Sequence, residues 1–352
     1  MIINTRLKNV KILATTGKSL WSIDEVIKCI NIDVVDFRIH LGKIRDNLLS
    51  IKNIKEAEKI TRLKANIYLD LPSNRPRVGT IGDLCVKKND ELLFCDSNNI
   101  TEYKNYFVNK KVIPINNLSN VITALKKNQK IRLKDGKIVF NIESIYSHLK
   151  YLLVKCEKAL CPLTKDMSCN FENSHYDNLT NEIKIFYEEM KGCGLQPDCI
   201  IISFAESSIQ VDRIRDYTNN KFQNNNIKYI SKIESEDGVI NIKQICDVSD
   251  MVMIGRGDLG VNMPIYKMPY IQEYIAKIVK KRGKKIIIAT QILEKYSKNC
   301  IPTISELEDI WNCIVQECDM IMLSYESGGS PYSYKCIEFL KNAILIYEKE
   351  YL

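Results

Sequence analysis

The charged residues best placed to do chemistry stand at the ends of apolar runs. KYISKIESEDGV (228–239) carries Lys232 and Glu234, and MVMIGRGDLGVNMP (251–264) passes from four apolar residues straight into Gly-Arg-Gly-Asp, ending on Asp258. Buried sheet ends do not collect a lysine and two carboxylates unless these groups pair with one another or bind something, because an apolar interior disfavours an uncompensated charge. Two uses are open from the residues alone. One is a structural ion pair at the mouth of a sheet, and the other is a site for a charged ligand.

The elements that must position these groups recur along the chain. Short runs rich in Ile and Val, each ending on polar residues, occur at VKILATT (10–16), VVDFRIH (34–40), NIYLD (66–70), CIIISF (199–204), IKYISKIE (227–234), DMVMIGRGD (250–258), KIIIAT (285–290) and DMIMLSYE (319–326). Near-continuous apolar strands are buried on both faces, the mark of a parallel sheet. Helical spacing of apolar residues separates them at 22–30, 179–192, 270–283 and 304–317, with Ser or Thr starts and Gly stops flanking several. Eight strands alternating with helices predict an α/β fold, a (β/α)8 TIM barrel, with its site at the C-terminal strand ends. Those ends carry Thr15, Arg38, Asp70, Ser203 and Thr290 beside Lys232, Glu234 and Asp258.

One interval breaks the rhythm. Well over a hundred residues separate Asp70 from Cys199, far too many for a βα loop. ELLFCDS, YFVNKKVIPI, KIRLKDGKIVF and YLLVKCEKA read as short strands with turns between them. The expected organisation is barrel over 1–78, an inserted small β-barrel domain over 79–172 sitting as a lid on the catalytic face, and barrel again over 173–352.

Composition narrows the class. The chain has 352 residues, 45% of them hydrophobic, and a formal net charge of +8. Its lysines are spread out rather than clustered with aromatics, which argues for an anionic small molecule over nucleic acid. Thirteen scattered cysteines and only three histidines give no zinc spacing and no disulfide framework. No apolar run nears the roughly 20 residues that span a bilayer, and the N-terminus lacks a signal-peptide core. A soluble, cytoplasmic protein is expected.

Taken in order, these segments resemble the pyruvate kinase family. GRGDLGVNMP resembles its ARGDLG element, KYISKIESEDGV its lysine–glutamate strand, and IIIATQILEKY (286–296) its ATQMLESM element. The stretch 301–327 resembles PTRAE through SGETA, KILATTG the opening strand, and KDGKI stands where the family has DDG. The chain stops at Leu352, where the family continues into a C-terminal regulatory domain that is expected to be absent here. The resemblance implies a phosphotransferase acting on phosphoenolpyruvate with a divalent metal, transferring phosphate to ADP or another acceptor to give pyruvate, as a monomer or homodimer.

The resemblance also implies roles. Glu234 and Asp258 would hold Mg2+ or Mn2+, hard oxygen donors that leave room for substrate oxygens. Glycines around Asp258 keep a turn open, so the N–H near Gly257 approaches an anion. Lys232 would face the transferring phosphoryl group, with Arg38 and Arg77 supplying guanidinium groups, Thr290 a hydroxyl, and Ser203 and Asp70 completing the phosphate site.

The departures are informative. The family's Arg-x-Asn-Phe-Ser-His is here Arg38-Ile39-His40-Leu41-Gly42-Lys43, so residues that help hold a monovalent cation are lost. Arg75 falls where potassium-dependent members have glutamate, and a fixed guanidinium would replace the ion, so that potassium is not required. His40 reads either as a site acid or base or as filler of the vacated ion pocket. Ile304 replaces the PTRAE arginine, Lys134 an aspartate, and Tyr325 a glycine, while Lys165 is the nearest candidate for an expected lysine near Asn170. These losses fall on the nucleotide and lid side. They leave open a lyase-type enolate enzyme and a non-catalytic relative beside the kinase reading.

Overall fold

The computed structural model describes residues 10–351 apart from Asp135, Asn173 and His175. Asp135, within the KDGKI segment, therefore lies outside the described residues. The chain forms two compact units: Met1–Pro72 with Asn181–Leu259 and Tyr266–Leu352, and Ser73–Thr180 with Gly260–Ile265.

In the first unit the eight expected runs are the strands of a closed parallel barrel: β1 (Lys11–Thr15), β2 (Asp36–His40), β3 (Asn66–Leu71), β4 (Cys199–Ile202), β5 (Lys228–Ile233), β6 (Met251–Gly255), β7 (Lys285–Ala289) and β8 (Met320–Leu323). Each pairs with its sequence neighbours, and β8 closes onto β1 with Lys11 opposite Met320 and Ala14 opposite Leu323. Side chains alternate across each strand, so Leu13, Tyr68, Ile201, Ile230, Met253, Ile287 and Met322 meet in one buried cluster. Their neighbours in sequence, such as Ile200, Val252 and Ile288, are also fully buried, as expected for strands covered on both faces.

Local chemistry sets the helix starts. Ser22, Ser207 and Ser235 cap helices through side-chain oxygens that accept backbone N–H groups. Thr303 and Glu306 form a reciprocal capping box at the helix Ile304–Val315. One expectation is corrected: Arg-Gly-Asp is the first turn of a short helix, Arg256–Asn262, and not an open turn. The first N–H groups of a helix have no partner within it, so donors of this turn can bond outside the helix while the segment is helical. The final helix, Ser333–Tyr351, is tied to the first strand by Glu348, whose Oε1 accepts the Val10 N–H at 2.7 Å.

The second unit holds a seven-stranded sheet in the order Cys169–Phe171, Lys130–Leu133, Ile138–Tyr146, Tyr151–Ala159, Glu91–Asp96, Lys111–Asn116 and Arg77–Val78. Its two edges approach each other, with Val78 N–H donating to Met167 O at 2.9 Å and Cys169 N–H to Pro76 O at 2.8 Å, so the sheet is barrel-like. Phe94 and Phe140 pack edge to face at 5.0 Å in its core. The run YFVNKKVIPI is a strand only from Lys111, because Ile100–Tyr106 is a helix that reaches into its start.

Candidate active site

Asp70, at the end of β3 and only 1% exposed, is the hub of the charges at the barrel mouth. Arg38, from β2, donates to Oδ2 from Nε at 2.8 Å and from Nη2 at 2.6 Å. Lys232, from β5, places Nζ 3.2 Å from Oδ1 and 3.0 Å from Oδ2, and 3.5 Å from Oε1 of Glu234. Ser203, just past β4, donates its hydroxyl to Oδ1 at 2.9 Å. Burial works against the charged form of Asp70, but Lys232 and then Arg38 outweigh it and hold the carboxyl well below the usual carboxylate range. Two cations thus share one buried carboxylate, and Lys232 has Glu234 as a second, longer partner.

Arg38 is fixed on its other side too. Nη1 donates to Thr15 Oγ1 at 3.1 Å, and Nη2 lies 3.1 Å from His40 Nδ1. A guanidinium has only donors, so His40 accepts here through Nδ1. The side chain that reads in sequence as filler or acid–base group is a hydrogen-bond partner of Arg38.

Glu234 is seated by two features that its motif does not display. The N–H of Phe204, a non-glycine residue at φ 51°, donates to Oε2 at 3.1 Å. Gly255 leaves room on the other side, since a Cβ there would stand 2.6 Å from Glu234 Cγ and 2.7 Å from Oε1. The methyl group of alanine at position 255 would displace the carboxylate. Gly255→Ala should therefore destabilise the protein by about 1–3 kcal/mol, read by urea unfolding, the usual cost of an extra methyl group in a filled interior.

A second group surrounds the short helix Arg256–Asn262. Asp258 lies half-buried in its first turn. The Gly257 N–H donates to Thr290 Oγ1 at 3.0 Å, at the end of β7. The remaining candidates belong to the second unit. Arg75 is 8% exposed and donates from Nη1 to Asn170 Oδ1 at 2.6 Å, while Arg77 Nη1 donates to Asp166 O at 3.2 Å. Lys165 is exposed in a turn.

Sequence reasoning missed Gly255, Phe204 and Arg256 as parts of this arrangement. A glycine closing an apolar strand was the only available signal for the first. Nothing in the residue type marks Phe204, whose contribution is a backbone N–H in a left-handed conformation.

Residues 7–337 match the family model described as pyruvate kinase, barrel domain. The pyruvate kinase of Mycoplasma pneumoniae is 27% identical over 95% of this chain and 70% of its own length. That of Thermoplasma acidophilum is 28% identical over 94% of this chain and 57% of its own. A solved pyruvate kinase from Cryptosporidium parvum shares the fold, with a TM-score of 0.82 at 22% identity over 98% of this chain and 70% of that one. No described helix is long and apolar enough to cross a membrane. With its closed barrel, its barrel-like second sheet and the matched span, the chain belongs to the pyruvate kinase family.

Proposed function

We propose that this protein transfers phosphate from phosphoenolpyruvate to ADP, giving pyruvate and ATP, with a divalent cation and without a requirement for potassium. The observation that carries the reading is the position of Lys232. Its ammonium is buried at the barrel mouth between Asp70 and Glu234, with the Arg38 guanidinium on the same carboxylate.

Phosphoryl transfer needs positioning and charge neutralisation more than covalent chemistry from the protein. The P–O bond of phosphoenolpyruvate breaks and its electron pair stays on the enolate oxygen. The new P–O bond forms to a β-phosphate oxygen of ADP, and the enolate takes a proton on its methylene carbon to become pyruvate. Lys232 and Arg38 face the phosphoryl oxygens and exchange part of their hold on Asp70 for the substrate. Thr290 Oγ1 accepts from Gly257, which leaves its own proton for a phosphate oxygen. Ser203 and Asp70 hold the two cations in place, while the roles that the resemblance implies for Arg77 and Arg75, a guanidinium for phosphate and a replacement for a monovalent ion, fall on residues of the second unit.

The residues fit a hard divalent cation. Among the described residues no group of three or more His, Cys, Asp or Glu is gathered as a ligand set. Two carboxylates, Glu234 and Asp258, suit an ion that completes its shell with substrate oxygens and water. The space that Gly255 leaves is filled by the Glu234 carboxylate and would close with any Cβ. Bound there, Mg2+ or Mn2+ supplies charge neutralisation to the phosphoryl and enolate oxygens.

A second reading, enolate chemistry with no nucleotide, is favoured by one observation. Tyr325, 60% exposed at the end of β8, lays its ring where a Cβ on Gly329 would stand 2.7 Å away. The resemblance has a glycine at that position, so a ring there would narrow the nucleotide side of the implied site. Pyruvate release from phosphoenolpyruvate with Mg2+, measured with and without ADP in potassium-free buffer, separates the two. ADP-dependent release supports the kinase, ADP-independent turnover supports the second reading, and no turnover with either overturns both.

A further inference from the structure

We infer that Arg256, paired with Asp309, is a positioning residue for Thr290: it holds that residue in a backbone conformation that a threonine does not otherwise take. The inference rests on the proposed role of the Thr290 hydroxyl. Thr290 has φ 71° and Gln291 has φ 56°, so two consecutive non-glycine residues occupy the left-handed region directly after β7. For a β-branched residue this is a true outlier, and such conformations persist only where the surroundings impose them.

Arg256 supplies the imposition. Its Nε and Nη2 donate to Thr290 O at 3.0 and 2.6 Å, and Nη2 also donates to Gln291 O at 2.8 Å. Asp309, on the helix Ile304–Val315, grips the same guanidinium in a two-point pair, Nη1 to Oδ1 at 2.7 Å and Nη2 to Oδ2 at 2.8 Å. The Arg256 side chain is 11% exposed and that of Asp309 25%, so solvent competes little. A planar fork is needed, because one group must meet two carbonyls and a carboxylate at once.

The next residue in the chain completes the arrangement. Gly257 N–H takes one lone pair of Thr290 Oγ1 while Arg256 takes the carbonyl, so adjacent residues fix both ends of one threonine. The arginine of Arg-Gly-Asp thus acts through Thr290 and touches no substrate itself.

Arg256→Lys keeps the charge and loses the fork. Its kcat should fall about 10- to 100-fold, the scale of a contact misplaced by about 1 Å, while the KM for phosphoenolpyruvate stays within about threefold. The Gly257 amide should exchange with solvent about tenfold faster or more, because its partner hydroxyl is no longer held. Glycine adopts positive φ without strain, so Gln291→Gly in the Arg256→Lys background should restore most of the amide protection and part of kcat. Should Arg256→Lys fail to fold, Asp309→Asn tests the same clamp with the same signs. Amide exchange needs no turnover, so it decides even where the wild type makes no pyruvate, an outcome that counts against the proposed function alone. Unchanged Gly257 exchange, or a loss that Gln291→Gly does not mend, would overturn the inference.

Discussion

Lys232→Met should reduce pyruvate formation about a thousandfold or more, the scale lost when a cation facing a transferring phosphoryl group is removed. Methionine matches the lysine stem in length and flexibility and carries no charge. In the variant Asp70 keeps Arg38 at 2.6 Å, so the carboxylate remains paired and the barrel remains folded. The same guanidinium remains available to bound substrate, so KM for phosphoenolpyruvate should rise far less than kcat falls. That asymmetry identifies a contact made chiefly in the transition state. Steady-state kinetics at saturating ADP and Mg2+ provide the measurement. A variant retaining a tenth of wild-type kcat would remove Lys232 from the mechanism.

The largest expected loss of stability belongs to Asp70→Asn. This carboxylate carries two buried cations and a hydroxyl, and asparagine takes the counter-charge from Arg38 and leaves Lys232 only the longer pair with Glu234 at 3.5 Å. Removing one partner of a buried ionic cluster destabilises by about 3–5 kcal/mol. Urea unfolding should show that difference between wild type and variant. The pH dependence follows from the direction of the Asp70 shift. Its folded pKa is depressed, with burial opposing and Lys232 and Arg38 prevailing. The stabilisation is therefore fully present above the unfolded carboxylate value of about 4 and is lost as pH falls through the lower folded value. The gap between wild type and Asp70→Asn should stay constant from about pH 5 to 8 and narrow only in more acid solution. A gap under about 1 kcal/mol at pH 7 would mean that the cations do not depend on this carboxylate.

The barrel was legible in the sequence because burial on both faces writes a strand as an uninterrupted apolar run. VVDFRIH and KIIIAT are strands in the structure within two residues of their expected limits, although the first includes a buried aspartate. Lys232 and Glu234 were visible for a related reason, since charges are costly in such a setting. The positions that hold them were not. Phe204 contributes only a backbone N–H, Gly255 only the absence of a side chain, and Thr290 only a torsion angle. Residue types do not announce any of these. Arg256 was conspicuous in its motif, yet its partner Asp309 lies 53 residues away on another helix, beyond the reach of any local spacing rule. Gly260–Ile265 packs with the second compact unit, although its sequence reads as a continuation of the Arg-Gly-Asp segment.

The bond between Val10 and Glu348 spans 338 positions of chain. Its consequence lies in time. On the ribosome β1 emerges long before either its β8 neighbour or the carboxylate that accepts the Val10 N–H just ahead of it. The nascent barrel must therefore wait with one strand edge open, a state prone to pairing with other chains. The strands of the second unit, all between Arg77 and Phe171, have their partners long before then. Slowing translation just ahead of β8 should lengthen the exposure of β1 and increase its demand for chaperones, with no change in the finished molecule.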